Sequence, residues 1–260
     1  MKTAFLAVMF YLVSSFFSVS AFELPVLKIE ANQTNYVLGE PVVLYVSLQN
    51  VSDEALELPY IFAPIAGFVD YHIKPLDDIP DRLETRFIPT ITGEHLNPMK
   101  NVLPGERVVG EARIFYGAEG WIFERPGTYE ITARMFRGLL SSTETITINT
   151  PTDEETAKAA KLFLESGETG IFLFYDDEDG ADFLTVAIQR LTQVVIECPN
   201  TPHATYANLA LGTNLVHDSI EDIITGTIRA ADPASALPFL ERAKQKSISF
   251  YDKETSFVLQ

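Results

Sequence analysis

The spacing of apolar residues changes once along the chain, close to Pro151. Before this point apolar and polar residues alternate, as in "LKIEA" (27–31) and "TETITINT" (143–150). After it they recur every three or four residues, as in the stripe Leu184, Ala187, Ile188, Leu191, Val194 or Val195, and Cys198. A period of two is typical of strands, and a period of 3.6 of helices. The sequence therefore predicts a multidomain protein with an all-β domain (22–150) followed by an all-α domain (151–260).

Turn signals divide the first half into short strands. They are "LGEP" (38–41), "NVSDE" (50–54), "LPGE" (103–106) and "RPG" (125–127). Short alternating strands at this spacing favour an antiparallel sandwich. The region 71–101 is richer in proline and charge, and we interpret it as a long connection with an edge strand near Tyr71–Ile73.

Helix start signals recur in the second half. Thr152 and Glu155 have the spacing of a capping box, and Thr201 and Asp232 each precede a proline at a first helical position. Pro238 limits the first turns of the last helix. We expect about four helices, a boundary near Thr150–Asp153, and contact between the two halves, because no long linker separates them.

The first 21 residues have the composition of a secretory signal peptide. Lys2 is followed by an apolar run from Ala4 to Val13, and Val19 and Ala21 occupy the small-residue positions of a cleavage site. The alternative is an uncleaved anchor, for which the run is short. No later segment is long and apolar enough to cross a bilayer, so we expect an exported protein, periplasmic or extracellular, without stable membrane insertion after cleavage.

Cysteine usage and charge restrict the source and the partners. The single cysteine, Cys198, allows no internal disulfide, which fits a bacterial exported protein better than a small eukaryotic secreted module. The net charge of -17 argues against nucleic acid or anionic lipid as a partner.

The stretch "YDDEDGADF" (175–183) crowds five carboxylates around Gly180. With Gly180 at position six of a calcium EF-hand loop, Tyr175 and Val186 occupy positions one and twelve, where that loop needs acidic ligands. We expect instead a solvated turn in which Asp179 or Asp182 caps the following helix and no metal binds. A looser cation site is the open alternative.

No residue pattern indicates catalysis, a metal or a cofactor. Cys198 lies on an apolar stripe at a helix C-terminus, after Glu197, so we expect a packed core thiol rather than a nucleophile. The four histidines, His72, His95, His203 and His217, lack zinc-ligand spacing. Phosphate-binding glycine loops, dinucleotide fingerprints and a nucleophile-elbow serine are missing from the sequence.

The segment "FYGAEGWIFERPG" (115–127) is the best candidate surface. Trp121 is the only tryptophan, and glycines flank it between two predicted strands. Tyr116, Trp121 and Phe123 are therefore candidates for an exposed aromatic loop that binds sugar or protein. The alternative is that Trp121 packs against the helical half or closes the end of the sandwich.

The first half resembles bacterial immunoglobulin-like sandwich domains. The resemblance rests on "YVLGEPVVLYVSLQNVS" (36–52), "VLPGE" (102–106) and "FERPGTYEITARM" (123–135), text similar to macroglobulin-type domains and to the intracellular proteinase inhibitor family. It covers about half of the chain and implies an immunoglobulin-like β-sandwich. Sandwiches host many activities, so it implies no particular one.

The second half resembles a helical-hairpin repeat of the tetratricopeptide kind. The resemblance rests on "AIQRLTQVVIECPNTPHATYANLALG" (187–212), with small residues at Ala204, Ala207 and Gly212, and covers about one and a half repeats. The stretch "GETGIFLFYDDEDGAD" (167–182) departs from the repeat pattern. Together the two resemblances imply a non-enzymatic module that binds another protein. The alternatives are an inhibitor or scaffold of an exported peptidase, an enzyme whose site has no recognisable motif, and a carbohydrate-binding protein that uses Trp121.

Overall fold

A computed structural model describes residues 23–77, 84–90, 99–175 and 181–246. The predicted signal peptide lies outside these residues, as do Asp176, Asp177, Glu178 and Asp179 of the acidic stretch. No helix in the described ranges is long and apolar enough to cross a bilayer.

The first half consists of short strands. In chain order they are β1 (Val26–Ala31), β2 (Asn35–Val37), β3 (Val43–Gln49), β4 (Leu56–Pro59), β5 (Asp70–Pro75), β6 (Thr85–Arg86), β7 (Met99–Val102), β8 (Arg107–Arg113), β9 (Tyr116–Gly117), β10 (Gly120–Trp121), β11 (Gly127–Met135) and β12 (Leu140–Asn149). Two 3₁₀ turns, Pro64–Ala66 and Phe136–Gly138, interrupt them. Strands at these positions agree with the alternating pattern of the sequence.

Two sheets contain most of these strands. A three-stranded antiparallel sheet has the order β1-β3-β8, and a five-stranded sheet has the order β2-β12-β11-β5-β6, in which β2 runs parallel to β12. The predicted edge strand near Tyr71–Ile73 is β5, but β6 pairs with its outer side, so β5 is one strand in from the edge. β4 pairs with β7, and β9 with β10, in separate two-stranded sheets.

Both sheets contribute alternate residues to one hydrophobic core. In β11 the buried residues are Tyr129, Ile131, Ala133 and Met135, and the residues between them are only half-buried. Strand β3 differs because Val43 to Leu48 are all buried. Each large apolar side chain removed from water contributes roughly 1.5–3 kcal/mol, so this two-sided burial makes β3 central to the stability of the β region.

Within the described residues, five helices and one hairpin follow the strands. The helices are α1 (Glu154–Leu164), α2 (Gly167–Phe174), α3 (Thr185–Glu197), α4 (Pro202–Val216) and α5 (Pro233–Lys246). Between α4 and α5 lie β13 (Ser219–Asp222) and β14 (Thr227–Arg229), which form an antiparallel hairpin. The expectation of about four helices was one too low, because the irregular stretch 167–182 begins with α2. The sequence also did not predict the hairpin.

The helix starts agree with two of the three predicted caps. The Thr201 side chain accepts a hydrogen bond from the Ala204 N–H, and the Asp232 carboxylate accepts one from the Ser235 N–H. The cap of α1 is Asp153, which accepts from the Thr156 N–H at 2.8 Å, and not Thr152. A carboxylate there is also favoured by the positive end of the helix.

Candidate protein-binding surface

The predicted aromatic loop is not exposed. Tyr116 lies directly opposite Trp121 in the β9–β10 pair, and both Tyr116 and Phe123 are buried. Trp121 is half-buried and stacks on Phe163 of α1, with ring centroids 6.5 Å apart. The exposed-loop interpretation was therefore wrong, and the alternative, in which Trp121 packs against the helical half, describes the structure.

Helix α2 closes over these aromatic residues. A Cβ at Gly170 would overlap three atoms of the Tyr116 ring, so the absence of a side chain lets the helix approach the ring. The Arg113 guanidinium of β8 donates to the carbonyl of Phe174 at the end of α2, with N and O 3.0 Å apart. The segment 115–123 thus joins the strands to the helices and leaves little aromatic surface for a ligand.

The start of α3 differs from the predicted acidic cap. Its N-cap residue, Leu184, makes no side-chain capping hydrogen bond, and Asp182 bonds elsewhere. The carboxylate at this helix start belongs to Glu168 of α2, which accepts a hydrogen bond from the Val186 N–H at 3.1 Å. The cap assignment was therefore wrong for Asp182, and Asp179 lies outside the described residues.

Asp182 instead anchors the β13–β14 hairpin. Its carboxylate pairs with the Arg229 Nε at 2.5 Å and accepts from the Asn214 amide at 2.7 Å, while its N–H donates to the Ser219 Oγ at 2.8 Å. Burial alone would raise the pKa of Asp182, but hydrogen bonds from Arg229 and Asn214 outweigh it and lower that pKa. Arg229 also donates to the carbonyl of Asn214. This network holds the hairpin against the end of α4.

The hairpin presents apolar side chains to solvent. Ile220 and Ile228 face each other across the two strands, and Ile223 and Ile224 of the turn are 65% and 96% exposed. Asp222 closes this turn, since its carboxylate accepts from the Ile224 N–H at 2.8 Å and its carbonyl from the Gly226 N–H at 2.9 Å. We call these four isoleucines the isoleucine tip.

Acidic residues precede and follow the isoleucine tip in the sequence. Between positions 218 and 232 the chain carries Asp218, Glu221, Asp222 and Asp232 against one basic residue, Arg229. Arg229 is already paired with Asp182. Exposed apolar side chains with a polar rim are the usual composition of a protein-binding surface. The sequence analysis did not predict this surface, although isoleucines lie on both sides of "TG" (225–226), which is a pattern that indicates a hairpin.

The described residues contain no metal site and no activated thiol. No group of three or more His, Cys, Asp or Glu side chains in the described ranges has the geometry to hold a metal ion. Cys198 is fully buried, and burial raises the pKa of its thiol, as expected for a packed core residue.

Comparisons with known proteins give no family. No protein-family model matches the sequence, and neither does any curated protein. Among solved structures, a β-glucosidase from Erythrobacter marinus is 19% identical, with a TM-score of 0.30, over 48% of this chain and 16% of its own. An alkylpurine DNA glycosylase from Pseudomonas fluorescens is 16% identical, with a TM-score of 0.29, over 50% of this chain and 32% of its own.

A further solved structure is covered over its full length. A CARDB domain of a Pyrococcus furiosus protein, solved with di-metal ions, is 11% identical, with a TM-score of 0.29, over 51% of this chain and 100% of its own. The similarity is too low to carry an argument about activity. What the molecule itself shows is a sheet-rich region followed by a helical one.

Proposed function

We propose that this protein is an exported, non-enzymatic module that binds another protein through the isoleucine tip. The observation that carries the proposal is the exposure of four isoleucines on a hairpin that a partly buried ion pair and an ordered turn hold in place. Exposed apolar side chains cost free energy in water, and a partner that covers them recovers about 25 cal/mol per Å² of apolar surface. The proposed architecture is an immunoglobulin-like sandwich followed by a tetratricopeptide-like helical part.

The chemistry around the tip defines the partner. Four acidic residues flank the isoleucines, so the complementary surface has apolar side chains flanked by Lys or Arg. A second copy of this chain does not fit, because both copies would bring the same acidic rim to the contact. Carbohydrate is not proposed, since Trp121, the residue that suggested it, packs inside the molecule.

Selection from a random twelve-residue peptide library on the purified protein tests this function. We expect the enriched peptides to contain apolar residues with Lys or Arg. The variant Ile223→Ser/Ile224→Ser should bind them at least tenfold more weakly, because it removes the most exposed part of the apolar contact. Glu221→Gln should weaken binding less, and should reduce its salt dependence.

The matched control is Ile196→Ser, which removes an isoleucine that is 70% exposed on α3, away from the hairpin. It should leave peptide binding unchanged. Enriched peptides that bind the double variant as tightly as the wild type, or that are acidic, would contradict the proposal.

A further inference from the structure

A tight turn of the first half lies against the helices. The turn Val37–Glu40 joins β2 to the loop before β3, and Gly39 within it has a φ of +86°. A Cβ on Gly39 would lie 3.2 Å from the His203 Nε2 of α4 and 3.4 Å from the Cα of Ala160 of α1. The carbonyl of Leu38 accepts a hydrogen bond from the His203 Nε2 at 2.9 Å. We call this contact between the turn and the two helices the joint.

Glu40 is buried in the joint at 6% exposure. Its carboxyl accepts hydrogen bonds from the Val37 N–H and, at 3.3 Å, from the Gln33 amide. Besides burial, the carboxylate of Glu40 in turn raises the pKa of two phenols, those of Tyr36 on β2 and Tyr206 on α4. In the described part of the chain no basic side chain forms an ion pair with Glu40, so a negative charge there would be buried without a counter-charge.

Two more ionisable groups act on these two phenols. Glu144 of β12 acts on Tyr36, and Tyr45 of β3 acts on Tyr206. Burial raises the pKa of both Tyr36 and Tyr206. Around Glu40 the surroundings are therefore neutral or acidic, and none of these groups favours a charged carboxylate.

His203 is fully buried on the other side of the turn. Its ring meets the ring of Phe163 edge to face at 5.1 Å, and its Nε2 is occupied by the Leu38 carbonyl. Its Nδ1 has no hydrogen-bond partner among the described residues, and no carboxylate of those residues pairs with the ring. A charged imidazolium would thus have one acceptor and an apolar aromatic neighbour.

We propose that the helices pack on the β region with Glu40 protonated and His203 neutral, so that closing the joint takes up one proton and releases another. The joint then keeps its stability across mildly acidic pH, because the two proton exchanges offset each other. The proposal concerns how the two halves stay together, and it does not depend on the proposed binding function.

The direction of each effect follows from burial. Desolvation raises the pKa of Glu40 from 4.5 to about 7, against the hydrogen bonds from Val37 and Gln33. The stability due to Glu40 is therefore fully present below pH 4.5 and is lost as the pH rises towards about 7. Desolvation lowers the pKa of His203 from 6.5 to about 4, so its contribution is present above pH 6.5 and is lost as the pH falls towards about 4. Between pH 4.5 and 6.5 the two slopes have opposite signs.

Urea unfolding of the full chain between pH 4.5 and 6.5 tests the proposal. For Glu40→Gln, the ratio of folded to unfolded protein, divided by the same ratio for the wild type, should rise about tenfold per pH unit. The reason is that Glu40 no longer offsets the pH dependence due to His203. The same ratio for His203→Gln should fall about tenfold per pH unit. In the double variant the ratio of folded to unfolded protein should depend on pH as it does in the wild type. Because each comparison is made with the wild type, the other titrating groups cancel.

Two controls and one further measurement complete the test. Glu119→Gln, at an exposed site, and His217→Gln, outside the joint, should both run parallel to the wild type. If the ratio of folded to unfolded protein for Glu40→Gln and for His203→Gln also changed with pH as it does in the wild type, the proposal would be overturned. If a variant does not fold, the His203 ring signal in the ¹³C spectrum of the wild type decides. It should not move between pH 7 and 5, and a midpoint near 6.5 would overturn the proposal.

Discussion

Gly170 shows how one residue sets the distance between the strands and a helix. Its missing side chain allows α2 to cross the ring of Tyr116, although glycine costs about 1 kcal/mol relative to alanine inside a helix. Glycine at this position therefore lowers the stability of the helix itself but allows a close contact between the two halves.

Gly170→Ala should destabilise the protein by about 1–3 kcal/mol, because the new methyl group overlaps the Tyr116 ring and forces the helix or the ring to move. Urea unfolding measures the change. In a Tyr116→Ala background the same substitution should be neutral or slightly stabilising, since only the helix preference remains. An equal cost in both backgrounds would show that the ring is not what Gly170 accommodates.

Trp121 illustrates what the sequence could not show at this scale. Its glycine neighbours and its place between two strands are the same for an exposed loop and for a packed hairpin. The difference lies in Phe163, a residue 42 positions later on α1 that covers the indole. Contacts between distant segments leave no local pattern, whereas Cys198, which belongs to an apolar stripe on one helix, was placed correctly.

Among the elements, the β13–β14 hairpin depends on the pair between Asp182 and Arg229. Both side chains are mostly buried, with 17% and 21% of their surface exposed. Removing one partner leaves the other charge without its counter-charge, which is costly in a partly dry site.

Asp182→Asn should lower the free energy of unfolding by about 1–3 kcal/mol at pH 7, because Arg229 loses its carboxylate. The pKa of Asp182 is lowered from 3.8, so the pair contributes stability above that pH and loses it as the pH falls further. The difference between variant and wild type should therefore shrink in acid. Asp53→Asn, at an exposed site, is the matched control, and an equal loss there would contradict this role.

Sequence patterns predicted the elements better than their details. The runs that became β1, β11 and β12 alternate clearly, the run that became β3 is densely apolar, and the prolines after Thr201 and Asp232 mark helix starts. The helix in 167–174 was missed because four of its first six residues, "GETGIF", are glycines or polar residues. The cap of α3 was missed because its carboxylate comes from another helix.

At the scale of the whole molecule, strands and helices share one hydrophobic core. Buried residues of β3, β11, α1 and α4 belong to the same cluster, which includes Leu44, Ile131, Phe163 and Ala207. A core shared in this way ties the stability of each half to the other.

Urea unfolding should therefore show one transition. Trp121, the only tryptophan, lies where the halves meet, so its fluorescence reports their separation. The midpoint of the fluorescence change should coincide with the midpoint of the change in far-ultraviolet circular dichroism, which follows the helices and strands. Two separate midpoints would show that the halves unfold independently.

The hydrogen bond between Leu38 and His203 also has a consequence for biosynthesis. The two residues are 165 positions apart, so the turn after β2 emerges from the ribosome long before the helix that covers it. Contacts of such long range form slowly, and apolar surface stays uncovered until they do. The first strands of this protein therefore need protection from aggregation during the time in which most of the remaining chain is synthesised.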